Sequence, residues 1–161
     1  MKLYHGSIEI VNTPEIRNSN RTLDYGKGFY TTTSRSQAEA WVIRRMKENN
    51  LKKGYINVFE FNDNGTDGLN TLTFNEPTDE WIDFVMANRT HKNFTHPYDI
   101  VYGPVANDRV YAAFALYEGG ILDKQSLKTE LKTYKLIDQY LFHTARSLKT
   151  IKFINAEEIV L

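Results

Sequence analysis

The sequence predicts an α+β fold, and three observations carry that expectation. Strand-like stretches rich in aromatic and β-branched residues stand near the start, middle and end of the chain, at residues 2–7, 54–61 and 150–161. The helical patterns between them are irregular, with no βαβ repeat of the kind a doubly wound parallel sheet requires. Neither a G-x-G-x-x-G fingerprint nor a P-loop is present, so the chain carries no mark of a nucleotide-binding parallel sheet.

In chain order, residues 2–7 read as a short strand, and 12–20 as a polar connection with a helical turn after Pro14. Asp24-Tyr25-Gly26-Lys27-Gly28 is a turn-rich approach to a second strand at 29–32. Ser34 or Ser36 can cap a helix running to about Met46, in which Ala38, Trp41, Val42 and Arg45 recur at helical spacing. The strand 54–61 meets Asn62-Asp63-Asn64-Gly65, which predicts a hairpin. A helix over 77–87 turns Trp81, Ile82, Val85 and Met86 inward, and a strand over 98–102 ends at Gly103-Pro104. Residues 108–117 form another helix. After Gly119-Gly120, Asp123 caps a helix bearing Leu127 and Leu131, a strand follows at 136–142, and the last strands lie in 150–161.

A chain of 161 residues is expected to be one domain, 1–161, burying about two thirds of its unfolded surface. Twenty basic and twenty acidic residues give zero formal charge, which argues against a broad nucleic-acid footprint. Without cysteine there are no disulfides, thiolate metal sites or cysteine nucleophiles. No signal-like apolar core or membrane-length segment is read, so a cytoplasmic location without membrane association is the expectation.

Two short motifs give the chain its strongest functional signal. Tyr4-His5-Gly6-Ser7 opens the sequence, and Gly28-Phe29-Tyr30 is followed eleven residues later by Trp41. A late stretch, Asp138-Gln139-Tyr140-Leu141-Phe142, completes the set. The pattern resembles the diphtheria-toxin and poly(ADP-ribose) polymerase branch of the ADP-ribosyltransferases, and more closely a small bacterial family grouped with that fold. The resemblance spans most of the chain and rests on about a dozen residues.

It implies an ADP-ribosyltransferase-like split β-sandwich with peripheral helices, NAD⁺ as substrate, and cleavage of the nicotinamide–ribose bond. Gly6 would pair its backbone with the carboxamide, His5 would bond the adenosine ribose, and Ser7 and Gly28 are counted among the NAD⁺-binding residues. Tyr30 and Trp41 would clamp the cationic pyridinium, each contact being worth ~0.5–2 kcal/mol. Ser36 resembles a hydroxyl that grips the carboxamide, although its ordinary reading is a helix cap. Gln139 stands where the branch carries glutamate. Exchanging a charged for a neutral hydrogen bond forfeits about 1–2 kcal/mol, tenfold or more in rate. Transfer of single units, with Gln139, His5 and Tyr30 as the catalytic set, is therefore expected rather than polymer synthesis.

Among the charged residues in nearby loops, namely Asp24, Lys27, Arg35, Asp108 and Arg109, Arg109 is the preferred holder of the pyrophosphate. Residues 119–135 correspond to the loop that helps choose the acceptor in relatives, a protein or nucleic acid of unknown identity. Some relatives act as toxins with a neighbouring protein as antidote, which gives an antitoxin-like partner. His91, His96 and His143 lack metal-ligand spacing and read as loop or packing residues, and no metal is expected. The competing readings are an NAD⁺ glycohydrolase, in which water replaces the acceptor, and a catalytically silent NAD⁺ or ADP-ribose binding module.

Overall fold

The architecture is that of a computed structural model, which describes residues 1–17, 23–105, 108–133 and 136–161, Asp108 by its backbone alone. Among these residues the class is mixed α+β. The strands are β1 (Lys2–Ser7), β2 (Phe29–Thr31), β3 (Lys53–Phe61), β4 (Thr71–Thr73), β5 (Ile100–Val105), β6 (Ile137–Phe142) and β7 (Ile151–Val160). The helices are α1 (Arg35–Glu48), α2 (Asp79–Thr90), α3 (Asp108–Glu118) and α4 (Lys124–Lys132). One sheet has the order β1-β3-β7 and the other β2-β6-β5-β4.

Three apolar clusters define the layers. Leu3, Phe59, Phe61 and Ile151 of the first sheet meet Phe29, Ile100 and Phe142 of the second, so the two sheets pack face to face. The outer face of the first sheet, at Ile56 and Val58, is covered by Ala38, Val42 and Met46 of α1. The outer face of the second, at Val101 and Leu141, is covered by Trp81, Ile82 and Val85 of α2, Phe114 of α3, and Leu127 and Leu131 of α4. Each strand feeds two layers because its side chains alternate between faces.

Several expected elements appear with shifted ends, and four expectations are corrected. The 62–65 turn forms, with Gly65 N–H donating to Asn62 C=O at 3.0 Å, but no hairpin follows. β3 is already paired on both sides, by β1 and β7, so the chain crosses to the other sheet and β4 pairs in parallel with β5. β5 continues through Gly103-Pro104. Proline is tolerated because β4 pairs only as far as Tyr102, leaving that edge without a ladder partner for the missing N–H. Residues 14–17 form no helical turn, and 18–20 lie outside the described residues. The last segment holds one strand and not several: β7 (Ile151–Val160), preceded by a 3₁₀ turn at Ser147–Thr150. The caps of α2 and α4 are Thr78 and Asp123, whose side chains accept from Trp81 N–H and Ser126 N–H.

Candidate functional site

The first motif lies where the two sheets join. Tyr4 and Thr32 exchange both backbone hydrogen bonds, at 2.8 and 2.9 Å, forming a single bridge between β1 and the residue that follows β2. Continuing that antiparallel register would set Gly6 opposite Tyr30, but the pairing stops after one bridge and the strands part. Backbone groups two residues apart point to the same edge of a strand, so Gly6 presents its N–H and C=O to this crevice as Tyr4 does to Thr32. His5 fastens the crevice from one side: its Nδ1 lies 2.7 Å from the Tyr30 carbonyl. A carbonyl only accepts, so Nδ1 carries the proton and the neutral ring keeps Nε2 as an acceptor. Burial pushes the His5 pKa down, and the ring rests against Phe29 at 4.2 Å.

Gly6 also explains how Trp41 reaches this point. A Cβ on Gly6 would fall 2.5 Å from the Ala38 carbonyl and 2.7 Å from Val42 Cγ2, with Trp41 Cδ1 next at 3.3 Å. The missing side chain lets α1 lie directly on β1, and Trp41 is carried there by the helix while remaining 41% exposed. The helix begins at Ser34, which accepts from Gln37 N–H; Ser36 does not cap it, but sits exposed with its hydroxyl 3.1 Å from that of Ser34. Ser7 is half-buried and accepts from Glu9 N–H.

Tyr30 is held by its neighbours in sequence. Its hydroxyl donates to the Gly26 carbonyl and accepts from Tyr25 N–H at 3.1 Å, while its ring packs against the core under α2 and α3. Burial raises its pKa well above the ordinary tyrosine value. Gly28 is needed for packing: its φ of 153° and the approach of a hypothetical Cβ to within 2.4 Å of the Phe142 carbonyl leave no room for a side chain.

Gln139 lies on the same face of the second sheet as Leu141 and is only 6% exposed. Its amide donates to the Pro104 carbonyl at 3.3 Å. The same carbonyl accepts from Tyr25 hydroxyl at 2.8 Å, and that hydroxyl accepts from Trp81 Nε1 at 2.8 Å. Gln139 is thus part of a buried polar knot. Its neighbour Asp138 points the other way and is tied to Thr32, Thr33 and Tyr102 by their hydroxyls and by Thr33 N–H. Desolvation, then the adjacent Asp138 carboxylate, pushes the Tyr102 pKa up to about 12.

A cavity of about 350 Å³ opens beside Trp41, lined by Leu23, Arg44, Arg45 and Glu48 on one side and Arg89, Tyr111 and Glu118 on the other. Arg109, exposed in the first turn of α3, does not line it. Arg89 and Tyr111 carried no signal in the sequence, because each reads as an ordinary helix residue until α2 and α3 are set against α1. Lys27 and Arg35 are exposed; Arg35 pairs with Glu39 and with Glu157 of β7. Asp24 is buried and forms an ion pair with Arg89 at 3.5 Å. No described helix is long and apolar enough to cross a membrane.

A family model described as a protein of unknown function, DUF3990, matches residues 1–153. No curated protein and no solved structure matches the chain.

Proposed function

Since the chain belongs to the DUF3990 family, whose description names no activity, we propose from its residues that it is an NAD⁺-dependent mono-ADP-ribosyltransferase with an ADP-ribosyltransferase-like split β-sandwich. One observation carries the reading: Gly6 offers a backbone donor and acceptor at the crevice where β1 and β2 part, with His5 bonded to Tyr30 on one side and Trp41 above. A planar carboxamide needs such a paired N–H and C=O, and a pyridinium needs an aromatic face. The contact of His5 with the Tyr30 carbonyl and the seating of Gly6 against the helix that carries Trp41 support this reading.

In the proposed reaction the bond between nicotinamide and ribose C1′ breaks, and the electron pair leaves with nicotinamide. An acceptor nucleophile then bonds C1′ and releases its proton to solvent. His5 and Gly6 orient NAD⁺, and Trp41 holds the ring. The acceptor, a protein or a nucleic acid, and an antitoxin-like partner belong to the same reading, with the bacterial toxin-type role that they imply.

The burial of Gln139 favours a second reading. Its amide is already engaged by Pro104, so a ribose hydroxyl would have to displace that bond. NAD⁺ or ADP-ribose binding without turnover is the form this takes, with slow hydrolysis between the two. Incubation with NAD⁺ separates them: nicotinamide release with a mass gain on a co-expressed protein supports transfer, and release alone supports a glycohydrolase. Binding without release supports the silent module, and no binding to a folded protein overturns all three. Trp41→Ala, at an exposed position, should weaken NAD⁺ binding by about tenfold while leaving the fold intact.

A further inference from the structure

We propose that the cavity between α1 and the α2–α3 pair receives the phosphates and base of a nucleotide, with Arg89 as the phosphate-binding group and Tyr111 as a stacking surface. The inference rests on the NAD⁺ reading above and assigns a part of that ligand to residues the sequence motifs do not include.

The guanidinium of Arg89 is placed but underused. It lies 4.7 Å above the Tyr111 ring and 5.5 Å from that of Phe114, which fixes its plane. Its two carboxylate neighbours are at ion-pair rather than hydrogen-bond distance, Nη1 to Asp24 at 3.5 Å and Nε to Glu118 at 3.7 Å. Nε is sealed from solvent and has no hydrogen-bond partner among the described residues. A buried N–H without an acceptor is a standing cost, and a small rotation of Arg89 toward an anion in the adjoining cavity would relieve it. Charge alone is not what the site lacks, since Asp24 and Glu118 already balance Arg89. Acceptor oxygens in fork geometry are what a phosphate would add.

The walls decide what kind of anion enters. Trp41 and Tyr111 are each 41% exposed, large flat surfaces flanking a cavity that also presents Arg44 and Arg45. Aromatic faces beside guanidinium groups suit a base joined to phosphates better than a free inorganic ion. About 350 Å³ lies at the small end of ligand sites, enough for one base-and-phosphate portion.

Calorimetric titration with ADP-ribose, ADP and inorganic pyrophosphate tests the assignment. ADP-ribose and ADP should bind, and pyrophosphate alone should bind at least about tenfold more weakly because it has no base to stack. Arg89→Gln should weaken ADP-ribose by about tenfold or more. Because that change removes the Arg89–Asp24 ion pair and puts folding at risk, Tyr111→Ala at an exposed position provides the second arm, with a loss of about fivefold or more. Unchanged ADP-ribose affinity in a folded Tyr111→Ala variant overturns the inference even if NAD⁺ is turned over, as does pyrophosphate binding as tightly as ADP-ribose. Binding of ADP-ribose that depends on both residues, without nicotinamide release, sustains the site and removes only the transferase reading.

Discussion

His96 and His143 stack with ring centroids 4.2 Å apart, and each donates a ring N–H to the backbone of the same loop, His96 to Tyr25 and His143 to Lys27. His96 also accepts from Tyr98 N–H through Nδ1, so its neutral form has both nitrogens satisfied. The pair clasps the segment leading to Tyr30.

Acid should loosen this clasp. Burial, and secondarily the facing His143, hold the His96 pKa below its ordinary 6.5, and burial acts in the same direction on His5. A group with a depressed folded pKa is protonated more readily in the unfolded chain, so stability is full above 6.5 and declines as pH falls through that value toward the folded pKa. Urea midpoints at about pH 7.5 and about pH 5.5 should show a drop in the wild type. The drop should be smaller in His96→Gln, with the remainder due to His5. An equal drop in both proteins would remove His96 from the account.

Gln139→Glu should not create a faster enzyme. A carboxylate at this position would face the Pro104 carbonyl inside the polar knot with Tyr25 and Trp81. Losing the amide donor and burying a charge should cost more than about 2 kcal/mol near neutral pH. In acid, the protonated carboxyl can donate to Pro104, so the penalty should shrink as pH falls through its raised folded pKa. Unfolding curves at two pH values check this, and a stable variant with raised nicotinamide release would show that residue 139 reaches the substrate.

Asp99 pins β5 to the turn after β6. Its buried carboxylate accepts from Arg146 at 2.6 and 2.8 Å, from Thr144 hydroxyl at 2.7 Å and from Asn70 N–H at 2.8 Å. Arg146 is the main reason that its pKa lies well below the ordinary carboxylate range. The stabilisation is present above 3.8 and is lost only as pH falls through the folded value, far into acid. Asp99→Asn should lower stability by about 1–3 kcal/mol at neutral pH, read as a shift in the urea midpoint.

Gly6→Ala should cost about 1–3 kcal/mol, since its Cβ would be driven into the backbone of α1 at Ala38 and into Val42. Displacing α1 also displaces Trp41, so NAD⁺ affinity and the unfolding midpoint should fall together. A variant of unaltered stability would mean that the helix does not rest on the strand as described.

The extent of the reading from sequence follows the range of the interactions involved. β1, α1, the body of α2 and the capped start of α4 were legible because strand alternation, helical spacing and a capping side chain act over a few residues. The missing hairpin and the continuation through Pro104 were not, since both depend on which strand already occupies the neighbouring edge. At the candidate site the sequence marked His5, Gly6, Tyr30 and Trp41 by local motifs; in the fold His5 meets the Tyr30 carbonyl and Gly6 lies against the helix that carries Trp41, while the Tyr30 ring is turned into the core under α2 and α3. It marked Gln139 equally, but only tertiary packing decided that the amide would be spent on Pro104. Arg89 and Tyr111 gained their meaning in the same way. Nothing within a few residues of either one records that α2 and α3 will be laid across from α1, because that placement is set by burial of side chains drawn from the whole chain.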